Sequence, residues 1–125
     1  IKRDIPDAAL ATFGCSTLTG EHMLARVDVK VGQYVLVTGA GGGVGSAAVQ
    51  LVRARGALPV VVTSRDKVGT LEGLGAEVCV ARQDFAGPNG AFDGERFVEA
   101  VGGRNRIDAV VDQVGGTCST ACCAA

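Results

Sequence analysis

Four short apolar stretches recur along the chain, separated by segments with helical periodicity. Each stretch is a nearly continuous run of apolar side chains, which is typical of a strand covered on both faces. Between them, apolar residues recur every three or four positions, which predicts amphipathic helices. The predicted strands are Gln33 to Thr38, Leu58 to Thr63, Glu77 to Ala81 and Ile107 to Asp112, and the helices that follow the first three are Val44 to Arg55, Asp66 to Leu74 and Glu95 to Val101.

This alternation predicts an α/β fold with a doubly wound parallel sheet and helices on both of its faces. The first strand is expected to be central in the sheet, so that the loop after it lies at the switch point where such sheets bind ligands. A helix-prone segment, Ala8 to Val27, precedes this strand and is expected to be interrupted near Gly14.

Composition narrows the class of protein. The chain has 125 residues, a net charge of −1 and only 4% aromatic residues, so nothing indicates a nucleic-acid surface. No apolar run approaches the ~20 residues that span a bilayer, and no membrane partner is expected. The five cysteines form no spaced framework, which favours a reduced, cytoplasmic setting. Because the chain begins at Ile1 without methionine, we expect it to be part of a longer protein.

The loop after the first predicted strand holds five glycines within seven residues, Gly39 to Gly45. Gly42 and Gly43 would let a phosphate approach the N–H groups of the following helix, whose first turn carries positive potential. Gly45 would allow that helix to pack closely on the first strand. The alternative is a turn or packing role alone, but the loop's place between strand and helix favours phosphate binding.

Two glycine patterns overlap in this loop. Thr38-Gly39-x-x-x-Gly43-x-Gly45 fits short-chain dehydrogenases, whereas Ala40-x-Gly42-x-x-Gly45 fits the dinucleotide fingerprint of medium-chain dehydrogenases. The short-chain alternative lacks support elsewhere, because the fourth strand continues as IDAVVDQVGG rather than into NNAG. The only tyrosine, Tyr34, also lies inside the first strand and not in a Tyr-x-x-x-Lys motif.

From about Ile5 to Gly116 the chain resembles the medium-chain dehydrogenase/reductase superfamily, in particular zinc-type alcohol dehydrogenases and quinone oxidoreductases. The resemblance lies in several motifs that occur in order: CSTLTG, the glycine loop, AVQL on its helix, VTS after the second strand, LGAE before the third, and VDQVGG after the fourth.

The resemblance implies part of a Rossmann domain, truncated after the fourth strand, from a two-domain oxidoreductase. Residues 1–32 would be the helical lead-in from the catalytic-domain junction, 33–116 the dinucleotide-binding domain and 117–125 an irregular tail. The parent enzyme would transfer hydride between a nicotinamide cofactor and an alcohol, a carbonyl or an activated double bond such as that of a quinone or enone. It could form a homodimer, and this chain alone is expected to be inactive.

The resemblance also assigns roles to single residues. Cys15 matches a ligand of the catalytic zinc in the zinc-type members, Thr19 a residue beside the nicotinamide, and Gln113 and Val114 residues that line the cofactor ribose. The alternatives are a buried cysteine at a helix break, local capping by Thr19, and a turn formed by the glycines after Val114.

The end of the second predicted strand bears on cofactor choice. An NAD-selective site places a carboxylate there, but Ser64 occupies the position and is followed by Arg65 and Lys67, while Asp66 is expected to cap the next helix. A hydroxyl and two cations suit a 2′-phosphate, so NADP is favoured over NAD. The predicted cofactor-binding residues are therefore Thr19, Ala40, Gly41, Gly42, Gly43, Val44, Gly45, Ser64, Arg65, Lys67, Gln113 and Val114, with Cys15 as the predicted zinc ligand.

A different functional class stays open at this point. A dinucleotide-binding fold does not by itself imply chemistry, so the chain could belong to a non-catalytic nucleotide-binding or interaction module. Upstream residues of a catalytic domain with Cys and His ligands would favour the enzyme.

Overall fold

The four predicted strands all form, together with helices before and between them. The computed structural model describes residues 4–103 and 106–116. The strands are β1 (Tyr34–Thr38), β2 (Leu58–Thr63), β3 (Val78–Ala81) and β4 (Ala109–Val111), and the helices are α1 (Asp7–Thr12), α2 (Leu18–Arg26), α3 (Gly43–Ala54), α4 (Val68–Gly73) and α5 (Gly94–Ala100). Residues 1–3 of the predicted lead-in and the predicted tail, residues 117–125, lie outside the described residues.

The strands form one parallel sheet in the order β3-β2-β1-β4. The prediction of a doubly wound parallel α/β fold with a central first strand is thus confirmed. The β1–β2 register pairs Thr38 with Val62, and the β2–β3 register pairs Thr63 with Ala81. The carboxyl ends of these strands therefore meet at one edge of the sheet.

Both faces of the sheet are covered, which explains the continuous apolar runs. In β1, Val35 and Val37 pack into a buried cluster with residues of α2, α3 and α4, whereas Leu36 packs into a second cluster with residues of α5. Phe97 is fully buried in that second cluster. Because successive side chains of a strand point to opposite faces, one apolar strand supplies both cores.

The segment before β1 corrects one expectation. The predicted interruption near Gly14 is a π-helical turn, Phe13–Thr17, which joins α1 to α2 without a break in the helix. A π-turn inserts one extra residue per turn and so shifts the faces of the helix that follows it. Gly20 of α2 then packs on α3, since a Cβ atom there would lie 3.3 Å from the Ala48 nitrogen.

The start of α3 packs closely on the end of β1. A Cβ atom on Gly45 would collide with the Gly39 carbonyl oxygen and lie 2.6 Å from the Cα atom of Ala40. Gly45 itself is buried. The predicted packing role of Gly45 is therefore explained by backbone atoms that cannot move aside.

We predict that Gly45→Ala lowers the free energy of unfolding by about 1–3 kcal/mol, because the added methyl group overpacks the α3–β1 contact. Gly69→Ala is the matched control, since a Cβ atom on Gly69 in α4 would meet no atom within 4 Å. Alanine is also the better helix former there, so the control should be neutral or stabilising. Equal urea-unfolding midpoints for the two variants would contradict the tight contact.

Candidate dinucleotide site

The glycine loop turns sharply between β1 and α3. Gly39 has a φ of +60°, which a residue with a side chain rarely adopts. The Gly42 N–H donates to the Gly39 carbonyl oxygen at 3.0 Å, and Gly42 occupies the N-cap position of α3. The helix therefore begins directly above the carboxyl end of the central strand.

The first turn of α3 offers free hydrogen-bond donors. The Ser46 N–H donates to the Gly42 carbonyl oxygen at 2.9 Å, but the N–H groups of Gly43, Val44 and Gly45 have no acceptor among the described residues. No side chain in the described part of the protein caps this helix start. Unpaired N–H groups and the helix dipole together favour an anion here, as predicted for a phosphate of the cofactor.

A cavity of about 210 Å³ opens beside this loop. None of the described residues that line it is acidic, and two are cationic. They are Gly39, Gly41, Gly42, Val62, Thr63, Ser64, Lys67, Arg82 and Val114. The structure thus brings the predicted residues Gly41, Gly42, Ser64, Lys67 and Val114 together around one space.

Lys67 reaches the glycine loop. Its Nζ donates to the Gly41 carbonyl oxygen at 3.1 Å. A Cβ atom on Gly41 would lie 2.5 Å from the Lys67 Cδ atom and 2.9 Å from the Thr63 hydroxyl. A side chain at position 41 would therefore displace the Lys67 side chain from its present path across the loop.

The Arg65 side chain is engaged away from the cavity, whereas Ser64 lines it. The Arg65 guanidinium forms an ion pair with Asp84, and the Arg65 N–H donates to Gln83 Oε1 at 3.2 Å. A hydrogen bond from the Ser64 side chain is the main cause that lowers the pKa of the Asp66 carboxyl. The predicted N-cap role of Asp66 is wrong, because Ser64 occupies the N-cap position of the 3₁₀ turn Arg65–Lys67 and Asp66 lies within that turn.

A hydrogen-bonded turn at the end of β4 positions Val114. The buried Thr38 hydroxyl donates to Asp112 and accepts from the Gln113 N–H at 3.2 Å. The Asp112 carboxylate in turn accepts from the N–H groups of Val114 at 3.2 Å and of Gly115 at 3.1 Å. Val114 consequently lies over Gly39, whereas the Gln113 side chain donates to the Thr38 carbonyl oxygen at 3.4 Å and lines no described cavity.

Sequence reasoning did not predict Arg82 or Ser16 at this site. Arg82 lines the cavity and also a second one of about 410 Å³, with Val114 as the other shared wall. Arg82 directly follows β3, so the rule that ligands bind at the carboxyl ends of parallel strands could have identified it. Ser16 of the π-turn lies so close to α3 that a Cβ atom on Gly43 would be 2.9 Å from its hydroxyl oxygen. No sequence signal indicates that contact.

The lead-in helix carries the predicted Cys15 and Thr19. Cys15 is an exposed free thiol in the π-turn, and Thr19 is exposed in α2. Among residues 4–103 and 106–116, no group of three or more His, Cys, Asp and Glu side chains could hold a metal ion. The described residues thus do not form a zinc site by themselves, and Cys118, Cys122 and Cys123 lie outside them. No helix within the described part of the chain is long and apolar enough to cross a bilayer.

The sequence and the fold match known oxidoreductases, although no model of a protein family matches the chain. The crotonyl-CoA carboxylase/reductase of Cereibacter sphaeroides is 48% identical over 59 residues, which are 46% of this chain and 14% of that protein. The structure of an alcohol-dehydrogenase-type protein from Sinorhizobium meliloti is 47% identical with a TM-score of 0.78, and the match covers 93% of this chain and 30% of that one.

A third match adds a bound cofactor. The quinone oxidoreductase of Thermus thermophilus, solved also in complex with NADPH, is 27% identical with a TM-score of 0.64, over 91% of this chain and 48% of that one. In all three comparisons the chain spans less than half the length of the protein that it matches.

We predict that Gly42→Asp weakens NADPH binding more than tenfold without destabilising the fold. A Cβ atom at Gly42 would make only an ordinary contact, 3.5 Å from the Gly39 carbonyl oxygen, and the backbone there is extended. An aspartate is a favourable N-cap, so it should raise the free energy of unfolding by a few tenths of a kcal/mol, while its charge repels a phosphate.

Gly42→Asn is the matched control, because it caps without charge and should bind NADPH better than the aspartate variant. Fluorescence titration and urea unfolding measure the two effects separately. Unchanged NADPH affinity in Gly42→Asp would show that the start of α3 is not the phosphate site.

Proposed function

Because the chain belongs to the medium-chain dehydrogenase/reductase superfamily, we propose that it forms the NADP(H)-binding region of an oxidoreductase. The relatives compared above are oxidoreductases. Residues 33–116 would bind the dinucleotide, and residues 1–32 would lead in from a catalytic domain. Membership of this superfamily rules out the alternative that the chain is a short-chain dehydrogenase.

The observation that carries the proposal is the pairing of free amides with a cation-lined cavity. The N–H groups of Gly43, Val44 and Gly45 have no acceptor among the described residues, and the cavity beside them is lined by Lys67. Two phosphates would accept from the amides, as at other helix starts. The adenine ribose and its 2′-phosphate would then lie toward the end of β2.

The charges favour NADP(H) over NAD(H). A carboxylate that accepts from both ribose hydroxyls is the usual mark of an NAD site, and none of the described residues lining the cavity is acidic. Lys67 would pair with the 2′-phosphate. Asp84 has the Arg65 guanidinium as its partner, so its charge is compensated beside the site.

The nicotinamide, when bound, supplies or accepts the hydride. The chain's own residues would bind and orient the dinucleotide: Val114 would contact the ribose, and Thr19 would lie beside the nicotinamide. Gln113 would act through its bonds to Thr38, which hold the β4 turn in place. We propose an alcohol, a carbonyl or an activated double bond as the substrate of the complete enzyme, with zinc bound through Cys15 only if other ligands come from outside the described residues.

We predict that the protein binds NADPH at least about tenfold more tightly than NADH, because each charge-assisted hydrogen bond to an exposed phosphate contributes about tenfold. Lys67→Gln should reduce this preference about tenfold, the value of one charged hydrogen bond, by weakening NADPH binding alone. High salt should reduce the preference in the wild type, because ions screen exposed charges. Fluorescence titrations with both cofactors at low and high salt measure it.

Lys30→Gln is the charge-matched control, since Lys30 pairs with Asp28 and lines neither cavity. It should leave both affinities unchanged. Equal binding of NADPH and NADH by the wild type would refute the assignment of NADP(H), and binding of neither would refute the dinucleotide site itself.

A further inference from the structure

We propose that Arg82 is a specificity-determining residue that binds the 2′-phosphate together with Lys67, an inference that rests on the proposed function. Arg82 directly follows β3, in a 3₁₀ turn that spans Arg82–Phe85. The sequence pattern after β2 does not include it.

The sheet register places Arg82 beside the end of β2. Thr63 pairs with Ala81 across the two parallel strands, so Ser64 and Arg82 are the next residues along neighbouring strand ends. Neighbouring strands lie about 4.8 Å apart. Ser64, Lys67 and Arg82 all line the cavity of about 210 Å³ next to Gly41.

The Arg82 side chain is free to bind a ligand at the carboxyl ends of β2 and β3. Its side chain is exposed, and within residues 4–103 and 106–116 it has no hydrogen bond, ion pair or ring contact. Arg65, by contrast, pairs with Asp84 and lines neither cavity. Recruiting Arg65 to a ligand would break that ion pair and leave the Asp84 charge uncompensated, whereas recruiting Arg82 breaks nothing.

The chemistry of the two cations is complementary. A guanidinium can donate two parallel hydrogen bonds to a phosphate, while an ammonium acts as a point charge. A phosphate bound by both side chains would accept charged hydrogen bonds from two sides of the cavity, since Lys67 lies across Gly41 and Arg82 follows β3. The 2′-hydroxyl of NAD(H) carries no charge and would gain neither pairing.

The experiment compares 2′,5′-ADP with 5′-AMP, which differ only in the 2′-phosphate, by calorimetric titration of the full-length protein. Arg82→Gln should weaken binding of 2′,5′-ADP about tenfold, the loss expected for one charged hydrogen bond, and change binding of 5′-AMP less than about twofold. Arg26→Gln is the matched control, an exposed arginine in the last turn of α2 that lines neither cavity.

The double variant Arg65→Gln/Asp84→Asn removes the competing ion pair without changing the net charge. It should keep the preference for 2′,5′-ADP. If the double variant loses this preference and Arg82→Gln keeps it, the inference is overturned while the dinucleotide site stands. If the wild type binds 2′,5′-ADP no better than 5′-AMP but still binds NADPH, Arg82 has no phosphate role. If it binds none of these ligands, the proposed function fails as well.

Discussion

The rest of the site depends on how closely α3 approaches the end of β1. Gly45 brings the backbone of α3 against the backbone of Gly39 and Ala40, and the gap between them is too small for a side chain on residue 45. This contact fixes where the helix begins, and therefore where the free N–H groups of Gly43 and Val44 lie. An anion-binding helix start is useful only if it stays in place relative to the other ligands. Here backbone packing holds it in place.

The parallel sheet brings the other residues of the site together from distant parts of the sequence. Lys67 follows β2, Arg82 follows β3 and Val114 follows β4, yet all three line one cavity beside Gly41. The Thr38–Asp112 hydrogen bond links the central strand to the β4 turn. Each contribution is local, but the strand register of a single sheet aligns them. Covering both faces of the sheet with helices leaves this edge as the place where polar groups and a ligand can meet.

The sequence predicted the elements well, because continuous apolar runs and helical periodicity reflect burial directly. β2, for example, has the predicted bounds, Leu58–Thr63. For the π-turn at Phe13–Thr17, the sequence predicted only an interruption of the helix near Gly14, because no residue type indicates a π-turn.

Side-chain direction at the site was harder to predict. Arg65 was expected to face the cofactor, yet Asp84, which follows it by 19 positions, accepts its guanidinium. Periodicity places residues on elements, but an ion pair between two short turns depends on how those turns are packed. Arg82 was not predicted for a related reason. It lies beside Ser64 because of the β2–β3 register, and that register cannot be derived from a single sequence. The residue-level roles of all the predicted site residues, Thr19, Gln113 and Cys15 among them, stay predictions.

The central claim is that the start of α3 holds the phosphates of a dinucleotide. An amide ¹H–¹⁵N NMR titration with NADP⁺ tests it most directly, since amide protons shift downfield when they donate to a phosphate. The account predicts that the largest downfield shifts fall on Gly43, Val44 and Gly45, whose N–H groups have no acceptor among the described residues. Shifts confined to other parts of the chain, with these three amides unchanged at saturation, would contradict it.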